Sequence, residues 1–175
     1  MRHRISALFA VLIAFAFAVP AEGRAQTSAS LDGTYTYDAA ASDNLNQAID
    51  AAVRDMNFAL RPVARGRLRK TNQPYQRLRI SQDAQQVSVV MDGRDAIVTP
   101  ANGTVVDWTR EDGEKLKVST EWKNGALEQT FMAEDGQRVN AYTVNDDGRT
   151  LTLRVTVTSP RLKQPLTYRL VYRRA

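Results

Sequence analysis

The chain contains few residues of the kinds that do chemistry. Its 175 residues include no cysteine and a single histidine, His3. Beyond the N-terminal segment there is therefore no imidazole and no thiol, which removes the commonest general base, the thiolate nucleophile, and the usual ligands of zinc, copper and haem. Asp107, Glu121 and Glu128 form no recognisable catalytic pair, and no glycine-rich phosphate loop is present. The sequence predicts a protein that is not an enzyme and that binds no metal and no cofactor.

Arginine and tyrosine are concentrated in strand-like segments. The C-terminal stretch PLTYRLVYRRA alternates as a strand does and contains Tyr168, Arg169 and Tyr172. Arg154 shares one face of another such segment with a row of threonines, while the opposite face is aliphatic. An arginine that points outward is solvated, whereas one that points inward needs an anionic partner. The sequence leaves both orientations open.

Large aromatic residues accompany these arginines. Trp108, Trp122 and Tyr142 each fall in a predicted strand, where they either pack in a core or line a cavity. If the fold encloses an anionic ligand, we expect Arg154 or Arg169 to contact it, with help from Tyr168 or Tyr172. The predicted ligand-binding residues are Arg154, Tyr168, Arg169, Tyr172, Trp108, Trp122 and Tyr142.

The elements that must position these side chains are mostly strands. Segments rich in β-branched and aromatic residues follow one another from Tyr75 to Arg173, and Gly33–Tyr37 adds one more. Asp-Gly or Asn-Gly pairs separate most of them, and such pairs favour tight hairpin turns. The pairs begin at Asp92, Asn102, Asp112, Asn124, Asp135 and Asp147. This spacing predicts an antiparallel meander of about ten strands.

A meander of this length must deal with its edge strands. Closure into an up-and-down barrel removes the edges and encloses a cavity, and a two-sheet sandwich is the alternative. One helix is predicted near residues 43–60, with Ser42 as its N-cap, because Leu45, Ile49 and Val53 recur at helical spacing. That helix would cover one end of the barrel. The segment Arg61–Asn72 is ambiguous, since Pro62 could start a helix that Gly66 would weaken.

These features together resemble the calycin superfamily, and most closely its fatty-acid-binding-protein branch. The GTY first strand, the helical lid and the run of hairpins match that branch, and DGEKLKVSTEWKNGALEQTF at 112–131 is similar to its middle hairpin. The resemblance implies that a fatty acid, a retinoid-like molecule or another amphipathic ligand binds inside the barrel. That family commonly holds the ligand carboxylate with an Arg-x-Tyr pair. In YRLVY, however, Arg169 and Tyr172 are three residues apart and face opposite sides unless a bulge intervenes.

The N-terminus reads as a targeting signal. Met1–Arg4 is basic, and the 15 residues Ile5–Val19 are apolar apart from one serine, which is shorter than the roughly 20 residues that span a bilayer. We predict a signal peptide over residues 1–25, cleaved after Ala21 or Ala25, and a single domain over 26–175 that is periplasmic or secreted. A retained membrane anchor is the alternative.

Charge is distributed unevenly along the chain. No acidic residue occurs between Asp55 and Asp83 or after Asp147, whereas both segments are rich in arginine. Such segments either attract an anionic membrane surface or an envelope protein, or they form a solvated face. Nucleic acid is not an expected partner, because the chain lacks an aromatic and basic RNA-binding signature. We expect a monomer.

Two functions follow from these observations. The first is non-catalytic binding or carriage of a small amphipathic or anionic lipid-like ligand in the cell envelope. The second is a protein-interaction module, such as an envelope assembly factor or an enzyme inhibitor, whose barrel is filled. The volume inside the barrel separates the two.

Overall fold

The computed structural model describes residues 30–175, so the predicted signal peptide at 1–25 lies outside the described residues. Ten strands and two helices follow one another along the chain. They are β1 (Gly33–Tyr37), α1 (Leu45–Val53), α2 (Arg61–Thr71), β2 (Arg77–Gln82), β3 (Gln86–Met91), β4 (Ile97–Pro100), β5 (Val106–Thr109), β6 (Lys115–Lys123), β7 (Ala126–Ala133), β8 (Gly136–Val144), β9 (Thr150–Thr158) and β10 (Leu166–Arg174).

The ten strands form one antiparallel sheet in the order β4-β3-β2-β1-β10-β9-β8-β7-β6-β5. The first and last strands pair with each other, so that the sheet curls into a nearly closed barrel, as the sequence predicts. β4 and β5 stand at the two ends of the sheet order. There, the hydroxyl of Thr99 on β4 donates to that of Thr120 on β6 at 2.6 Å, and Asn102 forms an isolated bridge with Glu121.

Side chains alternate between the interior and the outer surface along each strand. In β10, Tyr168, Leu170 and Tyr172 are buried, and Arg169 and Arg173 between and beyond them are exposed. Tyr35 on β1 and Tyr142 on β8 are also completely buried. Each large apolar side chain buried in this way contributes on the order of 1.5–3 kcal/mol to folding. These interior residues form one continuous core.

The turns follow the predicted hairpin chemistry except at Asn102–Gly103, which lies between strands β4 and β5 that do not pair with each other, and at Asp135–Gly136. Asn124 and Gly125 form the two-residue loop between β6 and β7, and both have the positive φ angles (50° and 78°) that this hairpin requires. The Asp135–Gly136 pair behaves differently, because Gly136 already pairs with Ala133 inside the sheet. A Cβ atom at Gly136 would lie 2.6 Å from the carbonyl oxygen of Thr158, so glycine is required there by close packing.

The helical region differs from the prediction of one helix near 43–60. Helix α1 ends at Val53, and its N-cap is Asn44, whose side chain accepts a hydrogen bond from the backbone N–H of Gln47 at 3.2 Å. Ser42 instead fastens the chain to the barrel by accepting from the backbone N–H of Val171 at 2.8 Å. The ambiguous segment forms helix α2, none of whose residues is fully buried. Neither helix in the described part of the chain is long and apolar enough to cross a membrane.

Candidate functional site

A cavity of about 600 Å³ lies between helix α2 and the adjacent end of the barrel. Ligand pockets in proteins commonly have volumes of roughly 300–1,000 Å³, so this space can hold a small molecule. Its walls are largely apolar, and Trp108 and Phe131 meet there edge to face with ring centroids 5.9 Å apart. The apolar lining from the strands and from the lid consists of Met91, Trp108, Leu116, Phe131, Val157, Leu60, Val63 and Leu68.

Charged side chains surround the mouth of this cavity. Arg67 on α2 forms an ion pair with Asp135 in the β7–β8 turn, with 3.1 Å between the nearest nitrogen and oxygen. Arg161 and Lys163, in the loop that connects β9 to β10, also border the opening. Exposed ion pairs of this kind contribute little to stability, typically 0–1 kcal/mol. The contact between α2 and the barrel rim is therefore weak at this point.

Arg138 on β8 lines the cavity and, unlike Arg67 and Arg110, forms no ion pair with a described carboxylate. Its Nε atom donates to Oδ1 of Asn140 at 2.8 Å, and its Nη1 atom donates to Oδ1 of Asn72 at 3.2 Å and to the carbonyl oxygen of Thr71 at 3.4 Å. All three acceptors are uncharged. Within residues 30–175, no carboxylate lies within ion-pair distance of this guanidinium, which is half-buried. A half-buried cation without a counterion is a place where an anion would be stabilised.

Asn72 holds the C-terminal end of α2 against the barrel interior. The residue is buried, and its side-chain oxygen accepts from the hydroxyl of Tyr168 at 3.1 Å as well as from Arg138. Its side-chain nitrogen donates to the carbonyl oxygen of Leu68 at 2.9 Å and to the hydroxyl of Thr71 at 3.1 Å. Both polar atoms of the amide are thus used, and one side chain connects the lid helix, β8 and β10.

The hydrogen-bonded chain continues into the closed half of the barrel. The side-chain nitrogen of Asn140 donates to the hydroxyl of Tyr142 at 3.1 Å, and that hydroxyl donates to Oε1 of Gln129 at 3.4 Å. Two buried groups nearby, Nε2 of Gln129 and the hydroxyl of Tyr172, make no hydrogen bond to any described residue. The interior polar groups therefore run from the cavity wall at Arg138 down to Gln129.

The buried tyrosines stay neutral at physiological pH. Burial raises the pKa of Tyr142 to about 12, and burial is also the main cause of the raised pKa values of Tyr168 and Tyr172. A neutral phenol donates one hydrogen bond but does not neutralise an anion. Arg138, which is hydrogen-bonded to the same chain through Asn140, is the cation next to these tyrosines that could balance a negative charge.

The structure places the two predicted arginines on the outside of the barrel. Arg154 on β9 is exposed and lies directly opposite Arg169 on β10. Arg169 is exposed too, with a nitrogen 3.5 Å from Oδ1 of Asp43, and its backbone N–H donates to Oδ2 of the same residue at 2.8 Å. No bulge brings Arg169 and Tyr172 to one face. Neither arginine lines the cavity, whereas Arg138 does.

The predicted aromatic residues divide into three groups. Trp108 lines the cavity, and its role as a ligand contact stays a prediction. Tyr168, Tyr172 and Tyr142 point inward but lie beneath the cavity wall, where Tyr168 and Tyr142 belong to the hydrogen-bonded chain. Trp122 is near the end of β6 and is 40% exposed, outside the residues that line the cavity.

Sequence reasoning missed Arg138, Asn72, Asn140 and Gln129. One signal for Arg138 was present, because Arg138, Asn140 and Tyr142 occupy alternate positions of a single strand and so share a face. Because Tyr142 is expected in a core or cavity, the same alternation places Arg138 on the interior face as well. Asn72 carries no such signal, since it lies just after a helix that the sequence leaves ambiguous.

The comparisons with known proteins agree on the fold. No protein-family model matches the chain, and no curated protein matches it. Among solved structures, a REP1-NXSQ fatty acid transporter is similar with a TM-score of 0.53 at 16% identity, covering 83% of this chain and 96% of the transporter. Human cRBP IV is similar with a TM-score of 0.53 at 20% identity, covering 84% and 99% of the two chains.

A third similar structure is the wild-type fluorescent protein UnaG, with a TM-score of 0.54, 16% identity, and coverage of 83% of this chain and 97% of that one. At such identities the likeness concerns the backbone and carries no residue roles across. The ten-stranded, nearly closed antiparallel barrel with two helices is that of fatty-acid-binding-protein-like proteins, and the chain thus has the calycin fold.

Proposed function

We propose that this protein binds a small amphipathic ligand with an anionic end inside its barrel, without catalysing a reaction. The observation that carries the proposal is a largely apolar cavity of about 600 Å³ with Arg138, a half-buried guanidinium that lacks a carboxylate partner, in its wall. Apolar walls favour a hydrocarbon portion. An unpaired cation favours an acid group at one end of it.

The similar solved structures support a ligand of this class. Two of them are described as a fatty acid transporter and as human cRBP IV. Those descriptions concern the other proteins, and they support a lipid-like ligand here because the barrel and lid are shared. The polar chain from Arg138 to Gln129 has no nucleophile paired with a base, which supports carriage of the ligand and no chemical change to it.

The rival function requires a filled barrel, and the interior is filled only in part. Tyr35, Tyr142 and Tyr172 pack the closed half with no exposed surface, whereas the half beneath α2 contains the cavity. A module that acted only through its outer surface would have no need of this space. The ligand-binding function is therefore the better supported of the two.

The lid also supports a partner of a second kind, an anionic membrane surface in the cell envelope. Three apolar side chains in the connection to α2 and in α2 itself are largely exposed: Phe58 is 82% exposed, and Leu60 and Val63, at the rim of the cavity, are 57% and 72% exposed. The segment between Asp55 and Asp83 that contains them is rich in arginine and has no acidic residue. Apolar side chains surrounded by basic ones bind anionic lipid surfaces by insertion and by charge attraction. The predicted signal at 1–25 is consistent with this location.

Displacement of a fluorescent fatty-acid analogue tests the binding function. We expect a long-chain fatty acid to compete more strongly than the matching primary alcohol, because only the acid pairs with Arg138. Arg138→Gln should weaken binding of the acid by about 10- to 100-fold, the range expected when one charge-assisted hydrogen bond is lost. Binding of the alcohol should be unchanged.

Arg154→Gln is the matched control, since it removes the same charge from the outer surface. Its affinity for the acid should stay within about twofold of the parent, because exposed substitutions have small effects. If the two arginine variants bind the acid equally well, or if the parent does not distinguish acid from alcohol, the proposal is wrong.

A further inference from the structure

The way in which Arg138 is already hydrogen-bonded limits how an anion can reach it. A carboxylate binds a guanidinium best through two parallel hydrogen bonds across adjacent nitrogens, and there are two such edges, Nε with Nη2 and Nη1 with Nη2. Asn140 occupies Nε at 2.8 Å, and Asn72 and the carbonyl of Thr71 occupy Nη1 at 3.2 and 3.4 Å. No described residue accepts a hydrogen bond from Nη2. Each edge therefore has one free nitrogen and one occupied nitrogen, and bidentate binding must displace a protein group.

The two protein groups are not equally easy to displace. Asn140 is part of a β8 strand paired on both sides, is buried, and also donates to Tyr142. Asn72 is buried as well, but it follows helix α2, in which no residue is fully buried and whose charged side chains form exposed ion pairs with Asp50 and Asp135. The hydrogen bonds at Nη1 are also longer than the one at Nε. The Asn72 side of the guanidinium is thus the side that yields.

We propose that Asn72 determines specificity for charged ligands: its amide oxygen occupies the Nη1 corner of Arg138 and must give way to the ligand's acid group. Binding of an acid then separates the C-terminal end of α2 from Arg138 on β8, while the contact of Asn72 with Tyr168 on β10 remains. An uncharged ligand leaves both contacts in place. This inference rests on the proposed function, because it concerns the same cavity and the same arginine.

When the acid group replaces Asn72 at Arg138, both residues keep hydrogen-bond partners. Arg138 replaces neutral acceptors by a charged one, which makes a stronger hydrogen bond. Asn72 keeps the hydrogen bond from the hydroxyl of Tyr168, so that its oxygen is not left without a donor. The last carbonyl of α2 loses the cation that faces the negative end of the helix dipole, which loosens that end of the helix. The charge of the ligand and the position of the lid are therefore coupled. A charged ligand loosens the end of α2, and a loosened α2 in turn binds a charged ligand more tightly.

Asn72→Asp tests the inference with almost no change in shape. The new carboxylate would compete with the ligand for Arg138 from within the protein, and like charges close together cost several kcal/mol. We expect affinity for the fatty acid to fall by at least about tenfold, with affinity for the alcohol unchanged, so that the ratio between them falls. Asn72→Ala removes the competing oxygen and should move that ratio the other way. A purely structural role for Asn72 would weaken acid and alcohol binding together.

Asn57→Asp is the matched control, because it adds the same charge to the same lid at the cavity mouth. It should leave the acid-to-alcohol ratio within about twofold of the parent. In hydrogen exchange on the parent protein, the amides of the last turn of α2 should exchange faster with bound acid than with bound alcohol.

The outcomes separate this inference from the proposed function. If Arg138→Gln abolishes the preference for acid while Asn72→Asp leaves it intact, the role of Asn72 is refuted and the function stands. Equal effects of Asn72→Asp and Asn57→Asp, or no faster exchange in α2 with acid, also refute it. If the parent binds neither probe, both the function and the inference fall.

Discussion

Loss of the hydroxyl group should lower the stability of the folded protein at one buried tyrosine, Tyr142, but not at another, Tyr172. The hydroxyl of Tyr142 accepts from Asn140 at 3.1 Å and donates to Gln129 at 3.4 Å, so Tyr142→Phe leaves two buried polar groups without that partner. Each such group costs about 1–3 kcal/mol, and the length of the second bond places the total near 2 kcal/mol. The hydroxyl of Tyr172 is buried and has no partner among the described residues. Tyr172→Phe should therefore be neutral or stabilising by about 1 kcal/mol.

Urea unfolding and thermal melting of both variants measure the difference. Because 1 kcal/mol shifts the melting temperature of a domain of this size by about 2–4 °C, a difference of about 2–3 kcal/mol in stability should separate the two variants by about 4–12 °C. Tyr168→Phe is an intermediate control, since Asn72 retains its hydrogen bond from Arg138 when the tyrosine hydroxyl is removed. If Tyr172→Phe is as destabilising as Tyr142→Phe, then Tyr172 is hydrogen-bonded in the folded protein and the reasoning from the barrel interior is wrong.

Two further predictions concern the turns and the lid. Gly136→Ala should destabilise the fold by about 1–3 kcal/mol, because the added Cβ would lie 2.6 Å from the carbonyl oxygen of Thr158. Gly66→Ala in α2 should stabilise the fold by about 0.5–1 kcal/mol, because its added Cβ meets nothing within 4 Å. Equal melting temperatures of the two variants would contradict this prediction. Replacing Phe58 and Val63 together by serine should reduce co-sedimentation with phosphatidylglycerol-rich vesicles by about tenfold or more, from the loss of buried apolar area. Val98→Ser, which changes an exposed valine on β4, should not reduce co-sedimentation with the vesicles. If the double variant sediments with the vesicles as well as the parent protein does, docking through the lid is refuted.

The fold was predictable because its determinants are local. Asn-Gly and Asp-Gly pairs define turns within a few residues, and the alternation between them defines strands. Strand β7, for example, begins directly after Asn124–Gly125, and β9 begins just after Asp147–Gly148. Helix α2 was not predictable in the same way. It lacks an apolar stripe, and it is held by contacts with distant parts of the chain, such as that between Asn72 and Arg138, which no local pattern encodes.

The site was less predictable than the fold because it depends on which face of each strand turns inward. Alternation puts Arg138 on the face of Tyr142, and Arg154 on the face of the threonines, but it does not say which face is the interior. Closure of the barrel decides this. The register in which Arg154 lies opposite Arg169 places both of them outside, and the register in which Tyr142 lies opposite Leu153 places Tyr142 inside.

The arginines at the end of the chain take part in that closure. β1 and β10 share only a short run of paired residues, from Tyr35 opposite Arg174 to Tyr37 opposite Tyr172. Arg173 donates to the carboxylate of Asp38 at 2.9 Å, and the guanidinium of Arg174 lies 5.0 Å from the centre of the Tyr35 ring and donates to the carbonyl oxygen of Gly148 at 2.7 Å. The outward basic residues thus fasten the last strand to the first, whereas Arg138, on a strand paired along both edges, lines the cavity without a carboxylate partner among the described residues.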